Sequence, residues 1–243
     1  MLAAVMIGDG RSDIAIAYEA SLIGKEYLAG AQKAYSAAGL NIVTTVAIPQ
    51  VEADKAAAVE ALRAVKPDAL VHVGFGHGLW GFSDALLDAG WDPPRYTTTA
   101  FEMAHISADW MRHLRGWIGL DSYDERNRVG QAFLDRFEAR YGRRPGHSMP
   151  GLAHDAATVI VRGLSAARPL TGEGVKHGFE QVKLIPSASG APGTFLRFGR
   201  YIRQGWLGSD YLIARRVVSD GSEHVFHAAP SDHISRAVGV DTG

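Results

Sequence analysis

Residues 13–48 read DIAIAYEASLIGKEYLAGAQKAYSAAGLNIVTTVAI, and this stretch decides the fold class. Ile14–Tyr18 is a short apolar run of strand length. Ser21 to Ala38 then has helical spacing, with Leu22, Tyr27, Leu28, Ala31 and Tyr35 on one side and Gly39 just past the end. Asn41–Ile48 is rich in β-branched residues and stops at Pro49. Strand, helix and strand in that order make a βαβ unit, whose strands lie parallel and whose crossover is right-handed.

The alternation continues outward. Asp54 can cap a helix through Val65, and Lys66-Pro67 stops it. Ala69–Val73 reads as a third strand, Gly74–Gly81 as a glycine-rich loop, Ser83–Ala89 as a helix closed by Gly90, and Tyr96–Phe101 as a fourth strand. Leu2–Gly8, upstream, reads as the last turns of a helix. Ligands of such sheets sit at the carboxyl ends of the strands. Those ends are Tyr18–Ile23, Gly74–Gly78 and Ala100–Met103.

After Gly116 the pattern changes. Asn127–Tyr141 is an amphipathic helix closed by Gly142. A second helix runs from Pro150 to Ala167 with Leu152, Ala156, Val159, Ile160 and Leu164 inward, and a third from Thr171 to Val182. Phe195–Phe198, Tyr211–Val218 and Glu223–His227 read as strands, the last two joined at Asp220-Gly221. A helix with one apolar face needs a sheet or other helices to cover it. These helices therefore read as the outer layer of a lobe whose sheet this sequence does not encode. The expected organisation is α/β: a doubly wound parallel sheet lobe over 1–115, the mainly helical part of an incomplete second lobe over 116–185, a crossover and β tail over 186–229, and a disordered polar tail over 230–243. Uncovered helix faces predict self-association.

Composition narrows the function classes. The chain has 243 residues, 47% hydrophobic and 21% charged, with a net charge of −1. This is the make-up of a soluble globular protein. It offers no basic field for nucleic acid or a membrane surface. With no cysteine, disulfides, thiolate catalysis and cysteine metal sites are excluded. No run approaches the ~18 apolar residues that span a bilayer, so no direct membrane insertion is expected. Met1–Ile7 is too short and lacks the basic residues of an export signal. That predicts either a cytoplasmic chain or a true beginning outside this sequence.

Several motifs compete for a chemical role. Gly76-His77-Gly78-Leu79-Trp80-Gly81 matches G-x-G-x-x-G, the dinucleotide pattern. Bulky Leu79 and Trp80 would crowd a phosphate turn, however, and the loop follows the third strand rather than the first. The plainer meaning is that the glycines allow the backbone to bend and a group to approach closely. The ten histidines form no spaced ligand set, and His72 reads as a packed strand residue. Asp121, Asp124 and Glu125 precede a helix and read as capping acids. Glu102, after Tyr96–Phe101, has two readings of equal weight: a carboxylate facing a cleft, or one placed on the amides of a helix start. No cofactor is expected.

Taken together, Asp13–Gly24, Lys66–Gly74 (KPDALVHVG), Asn127–Pro145 (NRVGQAFLDRFEARYGRRP), His154-Asp155-Ala156, Gly190–Thr194 (GAPGT) and Gly208–Leu212 (GSDYL) resemble the type I periplasmic solute-binding proteins of ABC transporters, in the branched-chain amino acid and amide-binding group. The resemblance covers Asp13 to Ala229. It implies two α/β lobes that close on a small polar ligand, no enzymatic activity, a periplasmic setting, and an ABC permease as the docking partner. A cytoplasmic sensor of the same fold is the alternative, and a nucleotide-dependent enzyme using Gly76–Gly81 a third. By resemblance, the strand-end acid that meets a ligand's amino group is Glu102. The aromatic before the helix glycine is replaced by Ile23, and the aromatic-rich turn after the third strand is Phe75, Gly76 and His77. The tyrosine that often precedes Asp-Ala is His154. Ser122 and Tyr123, near a crossover, complete the candidate set.

Overall fold

A computed structural model describes residues 1–49, 55–74, 77–99, 101, 112–145, 148–206, 211–217 and 224–226. The chain divides into two units: Met1–Asp121 with Ala214–Gly243, and Ser122–Ile213.

The first unit is a seven-stranded sheet in the order β2-β1-β3-β4-β5-β8-β9. Its strands are β1 (Asp13–Glu19), β2 (Asn41–Ile48), β3 (Ala69–Val73), β4 (Arg95–Thr97), β5 (Trp117–Asp121), β8 (Ile213–Val217) and β9 (His224–Phe226). β1 pairs in parallel with β2 and β3, and β3–β4 and β4–β5 are parallel as well, while β8–β9 is antiparallel. Parallel neighbours require crossovers, and helices α2 (Leu22–Ala37), α3 (Lys55–Ala64) and α4 (His77–Asp88) supply those that connect β1 through β4. A further helix, α1 (Leu2–Gly8), precedes β1 and buries Leu2 through Met6. Ala15 and Ala17 of β1, Leu70 of β3 and Trp117 of β5 share one core with Val59 and Leu62 of α3 and Leu79 and Phe82 of α4.

Most of the expected elements are present, with four differences. Helix α4 begins at His77, so five of the eight residues of the expected glycine-rich loop are helical, and Leu79 is fully buried. β4 ends at Thr97, and Phe101 has a helical backbone instead of extending the strand. Trp117–Asp121, not expected as a strand, is the buried β5, because Trp117 fills the core and Asp121 faces the buried Arg215 of β8 at 3.7 Å. Leu22, expected on the inward stripe of α2, is exposed: it lies in the first turn, just past the strand end.

The second unit holds α5 (Arg128–Tyr141), α6 (Met149–Ala166), α7 (Gly172–Glu180) and a two-stranded antiparallel ribbon of β6 (Ile185–Pro186) and β7 (Phe195–Leu196). Among the described residues these are its only strands. The helices pack on one another, with Val159, Val182 and Leu196 as a small core. Ile160 and Leu164, expected inward, are exposed together with Val161, so one apolar face of α6 is uncovered. The acids before α5 do not cap it. Asn127 does, accepting the N–H groups of Val129 and Gly130, while Asp124 pairs with Arg126 at 2.7 Å. No helix of the described residues is long and apolar enough to cross a membrane. The expected tail over 230–243 lies outside the described residues.

Candidate functional site

The carboxyl ends of β1, β3 and β4 in the first unit are organised around Glu19. This last residue of β1 is buried, with 2% of its surface exposed. Its Oε1 accepts the N–H of Gly78 in the first turn of α4 at 3.4 Å, and it lies 3.8 Å from Nε2 of His72 on β3. Nδ1 of His72 is 3.1 Å from the Thr97 hydroxyl on β4. A polar row thus crosses three strands under a buried surface. A charged imidazole is disfavoured there: burial lowers the His72 pKa from 6.5 to about 4, against the opposing pull of Glu19.

The glycines of this end exist to admit Glu19. A Cβ at Gly24 would come within 2.0 Å of the Glu19 carbonyl oxygen, one at Gly74 within 2.4 Å of the carboxyl carbon, and one at Gly78 within 3.2 Å of Cγ. Of the described glycines in the G-x-G-x-x-G stretch, Gly78 packs on Glu19 and Gly81 on the buried Lys55, which is the plain reading of those glycines. Thr98 and Thr99 donate their hydroxyls to the Gly74 carbonyl at 3.2 and 3.3 Å, fixing the turn after β4 to the turn after β3.

Ile23 stands at this same end. Ser21 caps α2 by accepting the Gly24 N–H at 2.9 Å, and the first turn then presents Leu22 and Ile23 to solvent at 75% and 51% exposure. His77 opens α4, but its side chain, like Phe75, Gly76 and Glu102, lies outside the described residues. Sequence reasoning read His72 as a packed strand residue, which it is, but missed Glu19 beside it. The available signal was a glutamate closing an apolar strand, followed by glycines in both neighbouring turns.

The other three candidates gather in the second unit, around Phe133. Ser122, Tyr123 and Phe133 line a cavity of about 10 Å³, and the Phe133 ring stacks on His154 with centroids 4.4 Å apart. Such a volume holds one water, not a solute. Burial lowers the His154 pKa, opposed by the adjacent Asp155. Asp155 itself does structural work that sequence reasoning did not assign. Its carboxylate accepts the Ser187 hydroxyl at 2.6 Å and the N–H groups of Ala188 and Ser189 at 2.7 and 3.1 Å. Asn127 grips the same turn from the other side, donating to the carbonyls of Ser187 and Gly190 at 3.1 and 2.9 Å. Gly190 N–H then reaches the Ser122 carbonyl at 2.7 Å. Three motifs far apart in sequence meet at one turn.

The family model for periplasmic binding proteins matches residues 1–209, and the chain belongs to that family. No curated protein sequence matches it. Solved structures share the fold. A periplasmic binding protein type 1 from Bordetella pertussis Tohama I has 17% identity and a TM-score of 0.73, covering 93% of this chain and 64% of its own. A leucine-binding protein from Thermotoga maritima has 14% identity and a TM-score of 0.75, covering 96% and 65%. An ABC transporter solute-binding protein from R. palustris, in complex with benzoate, has 18% identity and a TM-score of 0.74, covering 94% and 62%. The chain thus spans less than two thirds of the length of each of these proteins. At such identities the likeness is one of fold.

Proposed function

We propose that this chain is part of the solute-binding component of an ABC-type uptake system, binding a small polar solute without chemical conversion and presenting it to a permease at the periplasmic face. The observation that carries this reading is the carboxyl end of the first unit's sheet: two exposed apolar side chains, Leu22 and Ile23, beside a turn fixed by Gly74 and the start of α4. That is where open parallel sheets hold ligands. In this reading the first unit is one lobe of the protein, and α5–α7 clad another. The solute is an amino acid, an amide or a related carboxylate with an apolar body. Leucine and benzoate, named for two structural neighbours, are both carboxylates with such a body. Leu22 and Ile23 suit the apolar part, while Glu102 and His77 supply polar contacts.

Calorimetry against branched-chain amino acids, amides and aromatic carboxylates tests the proposal. Amine-bearing or amide-bearing members should bind saturably, and Glu102→Gln should weaken them about tenfold or more, as expected for one charge-assisted hydrogen bond. Equal affinity of Glu102→Gln and the parent for every ligand would remove Glu102 from the site. Absence of saturable binding across the panel would remove the solute class.

A further inference from the structure

The opposite end of the first unit's sheet carries a groove of about 810 Å³. It lies at the amino ends of β4 and β5, between the second half of α4, the Gly90–Arg95 segment and the Arg112–Gly116 segment. Its volume falls in the usual range of small-molecule pockets, roughly 300–1,000 Å³.

Arg95 forms its floor. This side chain is 9% exposed, and burial lowers its pKa, partly opposed by Asp92. One edge is fixed by Nη2 to Asp92 at 2.7 Å, and the guanidinium carbon stands 5.8 Å from the Trp117 ring centroid. Gly116 accommodates it, since a Cβ there would come within 2.4 Å of Nη2. Nε is buried and has no hydrogen-bond partner among the described residues. A desolvated guanidinium with an unused donor is costly unless something completes its shell.

The walls divide by chemistry. Leu86, Leu87 and Trp91 make one side apolar, and Leu87 is 67% exposed. Arg112, His113 and Arg115 form the other. Arg112 donates Nε–H to His113 Nε2 at 3.4 Å, and Nδ1 of His113 lies 3.1 Å from Asp84 Oδ1. With Nε2 accepting, Nδ1 carries the proton and donates to Asp84. Arg112 has no carboxylate partner among the described residues. The two aspartates are each already engaged, Asp92 by Arg95 and Asp84 by His113. We propose that this groove binds a small organic anion with an apolar body, its carboxylate on Arg95 and Arg112 and its body on Leu87 and Trp91. An arginine pair and an apolar wall facing one another across a concave volume match an amphiphilic carboxylate better than a bare inorganic ion. The site is separate from the strand ends that hold Glu19 and Ile23.

Calorimetric titration of the full chain with 2-naphthoate, with 2-naphthamide as the uncharged control, tests this. The expected result is saturable one-to-one binding of naphthoate, about tenfold tighter than the amide. Leu87→Glu puts a negative charge on the exposed wall and should weaken naphthoate about tenfold or more, and Arg112→Ala about fivefold, while Leu170→Ser, an exposed position of the second unit that lines neither site, leaves it unchanged. Both groove variants change exposed side chains, and a melting curve matching the parent shows that they fold. Absence of saturable binding overturns the proposal. So does binding that ignores Leu87→Glu and Arg112→Ala, or that falls equally with Leu170→Ser.

Discussion

Replacing Asp155 by alanine should unfasten the turn that joins three motifs of the second unit. The carboxylate is 2% exposed and accepts three hydrogen bonds, from Ser187 Oγ, Ala188 N and Ser189 N. The losses are unequal. Ser189 N also reaches Ser187 Oγ at 3.1 Å, and that hydroxyl accepts the Trp206 indole N–H at 3.1 Å, so both keep a partner. The Ala188 N–H has Asp155 as its hydrogen-bond acceptor, and is left buried without one. A hydrogen bond to a charged group contributes about 1.5–3 kcal/mol, and a stranded buried donor costs about 1–3 kcal/mol. Because the bonds share groups, the sum is below simple addition, and roughly 3–5 kcal/mol is expected. Asp155→Asn keeps an acceptor for Ala188 and loses the charge, so about half that loss follows. The assay is urea unfolding followed by Trp206 fluorescence, isolated from the other four of the chain's five tryptophans by subtracting a Trp206→Phe series. Trp206 reports this turn directly through its bond to Ser187. A loss below about 1 kcal/mol for Asp155→Ala, or equal losses for alanine and asparagine, would refute the account of the turn.

Two further outcomes are expected. His72 has a folded pKa near 4 and an unfolded value of 6.5, so the unfolded chain takes up the proton first. Stability is therefore complete above pH 6.5 and is lost as the pH falls from 6.5 towards 4, by up to roughly 3 kcal/mol. Chemical denaturation at pH 7 and pH 4.5 checks it, and His72→Gln, which keeps a hydrogen bond for Thr97, should flatten the profile. An unchanged slope would sink this reading. On α6, Ile160, Val161 and Leu164 are 48%, 63% and 42% exposed, so the chain should self-associate and Val161→Lys should reduce it. Sedimentation velocity across a concentration series would show this, and a single 26.1 kDa species throughout would contradict it.

The βαβ order of the first unit was legible because its signals are local. Ile14–Tyr18 and Asn41–Ile48 carry the strand period, Tyr27, Leu28 and Tyr35 carry the helix period, and Pro49 and Gly39 mark ends that need no distant partner. Uncovered apolar helix faces in the second unit were legible for the same reason: amphipathicity states that a face wants cover, and the few short strand runs after these helices are too little to supply it. β5 was not. Trp117–Asp121 has Gly119 and Asp121 among its five residues and so no continuous apolar run, and only its place beside β4 and β8 makes it a strand.

The candidate residues show the same division. Sequence alone determined that the turns after β1 and β3 carry glycines. It could not state that Gly24, Gly74 and Gly78 all close around Glu19, because that depends on the parallel register of Tyr18 against Val73 and on where α4 starts. Nor could it connect Asp155 to residues 187–189, or set Arg95 between Gly116 and Trp117. A chain writes its own backbone preferences residue by residue, whereas burial of a charge and the group that answers it are decided only when strands and turns far apart in sequence come within 3–4 Å of one another.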